Sequence, residues 1–140
     1  MKSKLCMIVF FALAFSFTET TFGKEYLLFR ESPKKFLGCF GCSEFNSDSI
    51  CNEYGTFGNS YSSDSIWNEY STIGNEYSTD SPWNEYSSSA PIIVDRAGGF
   101  YGRFSINIYS GFSQSDDLKA LYDSVDGDLD ELQKLFCKAF

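Results

Sequence analysis

Three ungapped blocks of sixteen residues run through the middle of the chain: FNSDSICNEYGTFGNS (45–60), YSSDSIWNEYSTIGNE (61–76) and YSTDSPWNEYSSSAPI (77–92). Self-similarity at a fixed, short period means that one small unit is used repeatedly, and stacked or arrayed units are the architectures that follow. The first position is Phe45, Tyr61 or Tyr77, and the fourth is Asp48, Asp64 or Asp80. The seventh is Cys51, Trp67 or Trp83, followed each time by Asn-Glu-Tyr. Gly58 and Gly74 also match, and the third block drifts away at that point. Asn-x-Tyr recurs on its own at alternating steps of seven and nine residues.

Each unit is rich in Ser, Thr, Asn, Asp and Gly, all turn formers, and carries no helical signal. Its apolar positions match neither strict alternation nor one helix face. The unit therefore reads as short extended pieces joined by Asx-type turns. Stacked blocks would form a short β-solenoid-like pile, with equivalent residues about 4.8 Å apart and the aromatic rings in ladders.

Beyond the repeat the pattern changes. Ile92-Ile93-Val94-Asp95, a turn at Arg96-Ala97-Gly98-Gly99 and an alternating run from Phe100 to Tyr109 predict a β-hairpin. One of its faces carries Phe100, Gly102, Phe104, Ile106 and Ile108. A lone hairpin is marginal in water, so that face needs a partner. Two helices are expected to supply it. The first is capped by Ser113 or Ser115 and carries Leu118, Leu121, Tyr122 and Val125. The second opens at an Asp128/Glu131 capping box and carries Leu129, Leu132, Leu135, Phe136 and Phe140. The expected fold class is mixed α+β: turn-rich sixteen-residue repeats followed by a β-hairpin and C-terminal helices. The expected organisation is a signal peptide (1–23), a leader (24–38), a Cys/Tyr/Trp-rich repeat region (39–91) and a hairpin-plus-helix module (92–140) that forms one compact domain with the repeats.

The N-terminal segment has the three parts of a secretory signal: Lys2 and Lys4, then the apolar run LCMIVFFALAFSF, then small residues Thr21 and Gly23 before a cleavage point. The run is short for a membrane span, which takes about 20 residues. Export predicts a secreted or periplasmic product with no stable membrane span after cleavage. Four cysteines then remain, Cys39, Cys42, Cys51 and Cys137. An even number in a small exported chain reads as two disulfides, of which three pairings are possible and spacing selects none. A link from the N-terminal cluster to Cys137 would close a loop of nearly 90 residues, contributing about 4 kcal/mol by loop entropy. A four-Cys zinc site or a redox-active Cys39-x-x-Cys42 is the alternative; there is no second C-x-x-C for the usual zinc spacing and no parallel α/β pattern for a redox fold.

Charge narrows the function. The 140-residue chain has 11 Lys+Arg against 19 Asp+Glu and no His. Catalysis by Ser-His-Asp or Cys-His and His-ligated metal sites are excluded, and an acidic balance excludes a nucleic-acid partner. Between Phe36 and Val94 lie eight acids and no base. If Asp48, Asp64 and Asp80 stacked at 4.8 Å, each neighbouring pair would repel by about 0.9 kcal/mol in water. They must therefore face solvent, cap turns through their oxygens or meet a cation, and calcium is the candidate cofactor, with those three aspartates as candidate ligands. Asp126-Gly127-Asp128 imitates the start of an EF-hand loop but lacks its turn glycine and its bidentate glutamate.

Residues 36–109 resemble a group of small exported bacterial proteins. The likeness rests on Phe36-Leu37-Gly38-Cys39, Cys42, Ser49-Ile50-Cys51-Asn52, Ser65-Ile66-Trp67-Asn68 and Ser81-Pro82-Trp83-Asn84. That group carries tandem C-N-x-Y-G and W-N-x-Y-S units ahead of a strand with a G-x-F-Y-G element, here Gly99-Phe100-Tyr101-Gly102. The resemblance implies export and paired cysteines, and it assigns no catalytic residue. Here Glu53, Glu69 and Glu85 occupy the x of N-x-Y, making the unit acidic.

The function expected is a non-enzymatic binding or structural module. Tyr54, Tyr70 and Tyr86, with Trp67 and Trp83, would stack on pyranose faces, and Asn68 and Asn84 with the neighbouring acids would hold hydroxyls; the alternative is that these rings form the repeat's own core. A cell-envelope glycan or an envelope protein is the expected partner, since Tyr and Trp also dominate protein interfaces. The alternatives are a calcium-binding structural repeat and a carboxylate-dependent glycoside hydrolase. The hydrolase is the weaker, because tripled acids sit in equivalent settings whereas such catalysis needs two carboxylates in unlike ones.

Overall fold

The structure is a computed structural model that describes residues 24–140. The expected signal peptide lies outside the described residues.

The architecture is mixed α+β. Four strands form one antiparallel sheet in the order β2-β1-β3-β4: β1 (Tyr26–Glu31), β2 (Lys34–Phe40), β3 (Ile92–Val94) and β4 (Phe100–Arg103). Two helices follow, α1 (Ser115–Ser124) and α2 (Leu129–Ala139). The segment expected to be a leader supplies half of the sheet. Its apolar residues YLLF and FLGCF flank Ser32-Pro33, and the two arms pair from Tyr26 with Phe40 to Glu31 with Lys34. Gly38 lies in β2 at φ +109, and a Cβ there would come within 2.8 Å of Ile50 and Phe57 side-chain atoms. Only glycine meets both conditions.

The hairpin of β3 and β4 forms as expected, with Asp95 accepting from Ala97 N (2.9 Å) and Gly99 N (2.8 Å) to close its turn. The second strand is shorter than its alternation suggests, however. It ends at Arg103, and Ser105 and Asn107 turn the chain by accepting from the amides of Asn107 (3.0 Å) and Tyr109 (3.1 Å). Phe104 and Ile106 remain buried, whereas Phe100 and Ile108 are exposed.

The repeat region is not a closed solenoid: past Phe40, where β2 ends, residues 41–91 form no strand, and Ser49 makes only an isolated bridge to Cys39. It is a train of tight turns. The amides of Ser62, Ser65, Asn68 and Ser71 each donate to the carbonyl three residues earlier, and Asn75 N reaches back four, to Ser71 O. At the corners, Ser and Asn side chains accept from the amide two residues on: Asn59 from Tyr61 (2.8 Å), Ser62 from Asp64 (3.3 Å), Ser65 from Trp67 (3.2 Å) and Asn68 from Tyr70 (3.0 Å). A side chain that closes its own backbone turn removes the extended geometry a stacked strand requires. The corrected element is thus turn upon turn, with the sixteen-residue period made of four three-residue steps and one of four.

One core joins all parts. Leu28, Leu37 and Phe40 of the sheet meet Ile50, Ile66 and the two tryptophans of the turns, and Phe104, Leu118, Leu132 and Phe136 from the C-terminal side. Asp128 caps α2 by accepting from Asp130 N (3.1 Å) and Glu131 N (3.2 Å). The N-cap of α1 is Gln114, with no side-chain cap bond, rather than Ser113 or Ser115. Disulfides join Cys39 to Cys42 and Cys51 to Cys137. The second ties α2 to the first block, where Gln133 Nε2 also donates to Ile50 O (3.0 Å) and Gly58 O (2.7 Å). Among the described residues no helix is long and apolar enough to cross a membrane.

Candidate ligand-binding surface

The turns sort the aromatic residues of each block by address. The residue two after an Asn corner points out, and the seventh block position points in. Tyr54, Tyr70 and Tyr86 follow the Asn corners at 52, 68 and 84, and they are 94%, 86% and 81% exposed. The block-opening positions Phe45, Tyr61 and Tyr77 are exposed to the same degree. Two rows of rings therefore stand in solvent. The second was not among the residues expected to bind, although its sixteen-residue recurrence was in plain view and Asn59-x-Tyr61 and Asn75-x-Tyr77 carry the same turn signal.

Trp67 and Trp83, expected beside the tyrosines as stacking rings, are instead core residues at 1% and 2% exposure. Their ring centroids lie 5.3 Å apart, and each indole donates to a backbone carbonyl one block earlier: Trp67 Nε1 to Ile50 O (2.6 Å) and Trp83 Nε1 to Ile66 O (2.5 Å). A large ring with one donor is stable inside only where that donor finds such an acceptor. Asn68 and Asn84 are also committed internally. Each Oδ1 closes a turn, and each Nδ2 donates to the carbonyl six residues back, Ser62 O (3.0 Å) and Ser78 O (3.1 Å). Asn68 is buried and Asn84 half-buried, so most of each amide's bonding capacity is spent inside the turns.

The acids fare differently from the expected ladder. Asp64 pairs with Lys35 (2.5 Å) and Asp80 with Arg30 (2.8 Å), so the missing bases come from β1 and β2. Asp48 is exposed. Among the described residues no three His, Cys, Asp or Glu side chains gather to hold a metal ion, so Asp48, Asp64 and Asp80 do not form the calcium ligand set.

Beside the tyrosine rows the surface sinks into a cleft of about 860 Å³, between the second and third blocks and the α1–α2 connection. Tyr61, Tyr70 and Tyr77 from the turns and Asp126 to Asp130 from the α1–α2 connection and the start of α2 line it, together with the tryptophan pair. Tyr122 lies at its inner edge, stacked on Trp83 at 6.0 Å and 4° and donating to Glu76 Oε2 (3.2 Å). Burial first, then the Glu76 carboxylate, pushes the Tyr122 phenol up to about 12. The carboxylate of Glu69 holds the Tyr70 phenol above its ordinary value.

Comparison with known proteins gives no match to this chain among family models, curated proteins or solved structures.

Proposed function

We propose that the chain is an exported, disulfide-stapled recognition module that binds envelope glycan through its rows of outward tyrosines, with no catalytic role. The observation that supports this reading is the split within the blocks: the tryptophans of the second and third are buried, while the tyrosines of all three, built on the same turns, stand at 81–94% exposure. Rings serving only stability would be drawn into the core, since burying an aromatic side chain is favourable by about 2–3 kcal/mol. Six exposed rings on a rigid, crosslinked frame cost little entropy to dock, because a tyrosine has only two side-chain torsions to fix. The two disulfides fit a non-reducing compartment, which is where the resemblance to small exported bacterial proteins would also put the chain.

Calorimetric titration of the oxidised protein with oligosaccharides from cell-wall digests tests the reading. Saturable binding that disappears in Tyr54→Ala/Tyr70→Ala/Tyr86→Ala is the expected result. These side chains are exposed, so the unfolding free energy should change by no more than about 0.5 kcal/mol per substitution. Absence of binding to every glycan, or binding indifferent to the triple substitution, rejects it.

A further inference from the structure

The cleft beside the tyrosine rows has a charge character that a neutral sugar does not satisfy. Five carboxylates line it, from Glu69, Glu76, Asp126, Asp128 and Asp130, and no Lys or Arg does so among the described residues. Three of the five have partners within the chain: Glu76 accepts from Tyr122, Glu69 holds the Tyr70 phenol and Asp128 caps α2. Glu69, Asp126 and Asp130 are exposed and make no ion pair among the described residues. This contrasts with Asp64 and Asp80 on the other side of the same turns, where β1 and β2 supply a cation to each. The same cleft is lined by Tyr61, Tyr70 and Tyr77, and a phenol ring presents its negative face to a cation. The cleft also falls within the size range of small-ligand sites, roughly 300–1,000 Å³. Aromatic faces and unpaired carboxylates about one cavity select for a ligand that is at once ring-shaped and positively charged.

We infer that the cleft binds an amino-bearing glycan, one whose sugar rings stack on Tyr61, Tyr70 and Tyr77 while its ammonium groups meet Glu69, Asp126 and Asp130. This rests on the glycan-binding reading above and names the class of sugar. An N-acetylated sugar offers the same rings without the charge, and a basic peptide offers the charge without the rings, so each is a control.

The test compares a glucosamine oligomer with an N-acetylglucosamine oligomer of equal length, by calorimetry on the oxidised protein at a pH where the amines are protonated. The amine form should bind at least about tenfold more tightly, and more weakly as salt is raised, because exposed charge pairs are screened. E69Q/D126N/D130N should erase that preference. Asn at position 126 tolerates the φ of 51° found there, and the single variant E69Q, which alters no helix cap, should show a part of the loss if the triple variant folds poorly. Equal binding of both oligomers overturns the inference while leaving the glycan reading intact. Binding of neither, nor of any other glycan, removes both. A lysine oligomer that binds as tightly as the glucosamine oligomer overturns the sugar as occupant in favour of a basic peptide.

Discussion

Trp67 and Trp83 lie sixteen positions apart, and their rings stack with centroids 5.3 Å apart inside the core. Each indole N–H reaches the carbonyl of the residue one block and one position earlier, but the two acceptors differ. Ile50 O also receives Gln133 Nε2 from α2, whereas Ile66 O receives only Trp83 among the described residues. Truncation to Phe therefore leaves a buried carbonyl orphaned at one site and still bonded at the other. Trp83→Phe should destabilise by about 1–2 kcal/mol more than Trp67→Phe, the cost of one unsatisfied buried group. Denaturant unfolding of the two variants checks this, and equal losses would show that the carbonyl asymmetry has no energetic weight.

The two disulfides close very different loops. Cys51–Cys137 spans 86 residues of sequence and Cys39–Cys42 spans three. Loop entropy assigns about 4–5 kcal/mol to the first and about 2 kcal/mol to the second. Cys51→Ala/Cys137→Ala should accordingly lower the unfolding free energy roughly twice as far as Cys39→Ala/Cys42→Ala. The long bond also carries the docking of α2, so amide exchange in Leu129–Ala139 should rise in the first variant and stay unchanged in the second.

Gly58 and Gly74 close the four-residue step of their blocks. A Cβ at Gly58 would stand 2.0 Å from Asn52 O, and at Gly74 1.9 Å from Asn68 O, both backbone atoms held by turn hydrogen bonds. The equivalent place in the third block is Ala90, where the chain leaves the turns for β3 and the methyl is accepted in the core. Gly74→Ala should thus cost about 3 kcal/mol, at the upper end of overpacking penalties, in spite of its small size. Thermal unfolding gives the answer; a loss below about 1 kcal/mol would mean that the turn relaxes freely.

This drift at position 90 was visible in the repeat, and its meaning was not. The sixteen-residue period, the β3–β4 hairpin, the Asp128 cap and the apolar stripe of α2 could all be read from spacing, because each depends on residues near one another in sequence. The strands of residues 26–40 were missed although they pair with each other about Ser32-Pro33, since a lone hairpin is marginal and β1 gains its second neighbour, β3, only some fifty residues later. The same distance hid the bases that meet Asp64 and Asp80. Block composition left the Tyr and Trp rings together as either a ligand surface or the repeat's own core. It could not tell that an indole N–H has a carbonyl waiting one block back while a phenol does not, and this difference is what sends one ring in and the other out.

Tyr122 connects the cleft to the core. Its ring lies parallel to Trp83, and its hydroxyl donates to Glu76. Partial burial and that carboxylate disfavour the phenolate, raising the group from 10.0 to about 12. The folded state thus holds this proton more tightly than the unfolded chain does. Its contribution to stability is complete below pH 10 and declines as pH rises toward 12, where the unfolded chain binds fewer protons than the native one. Tyr122→Phe keeps the stacked ring and removes the titrating group. At neutral pH the variant should lose no more than about 1 kcal/mol for the single, partly exposed hydrogen bond. Between pH 10 and 12 it should destabilise less steeply than the parent, so that the two curves converge. A tyrosinate absorbance titration should lose its step near pH 12 in the variant. Parallel alkaline curves for parent and variant would show instead that Tyr122 ionises without affecting the fold, and that the contact between the cleft and Trp83 does not depend on its proton.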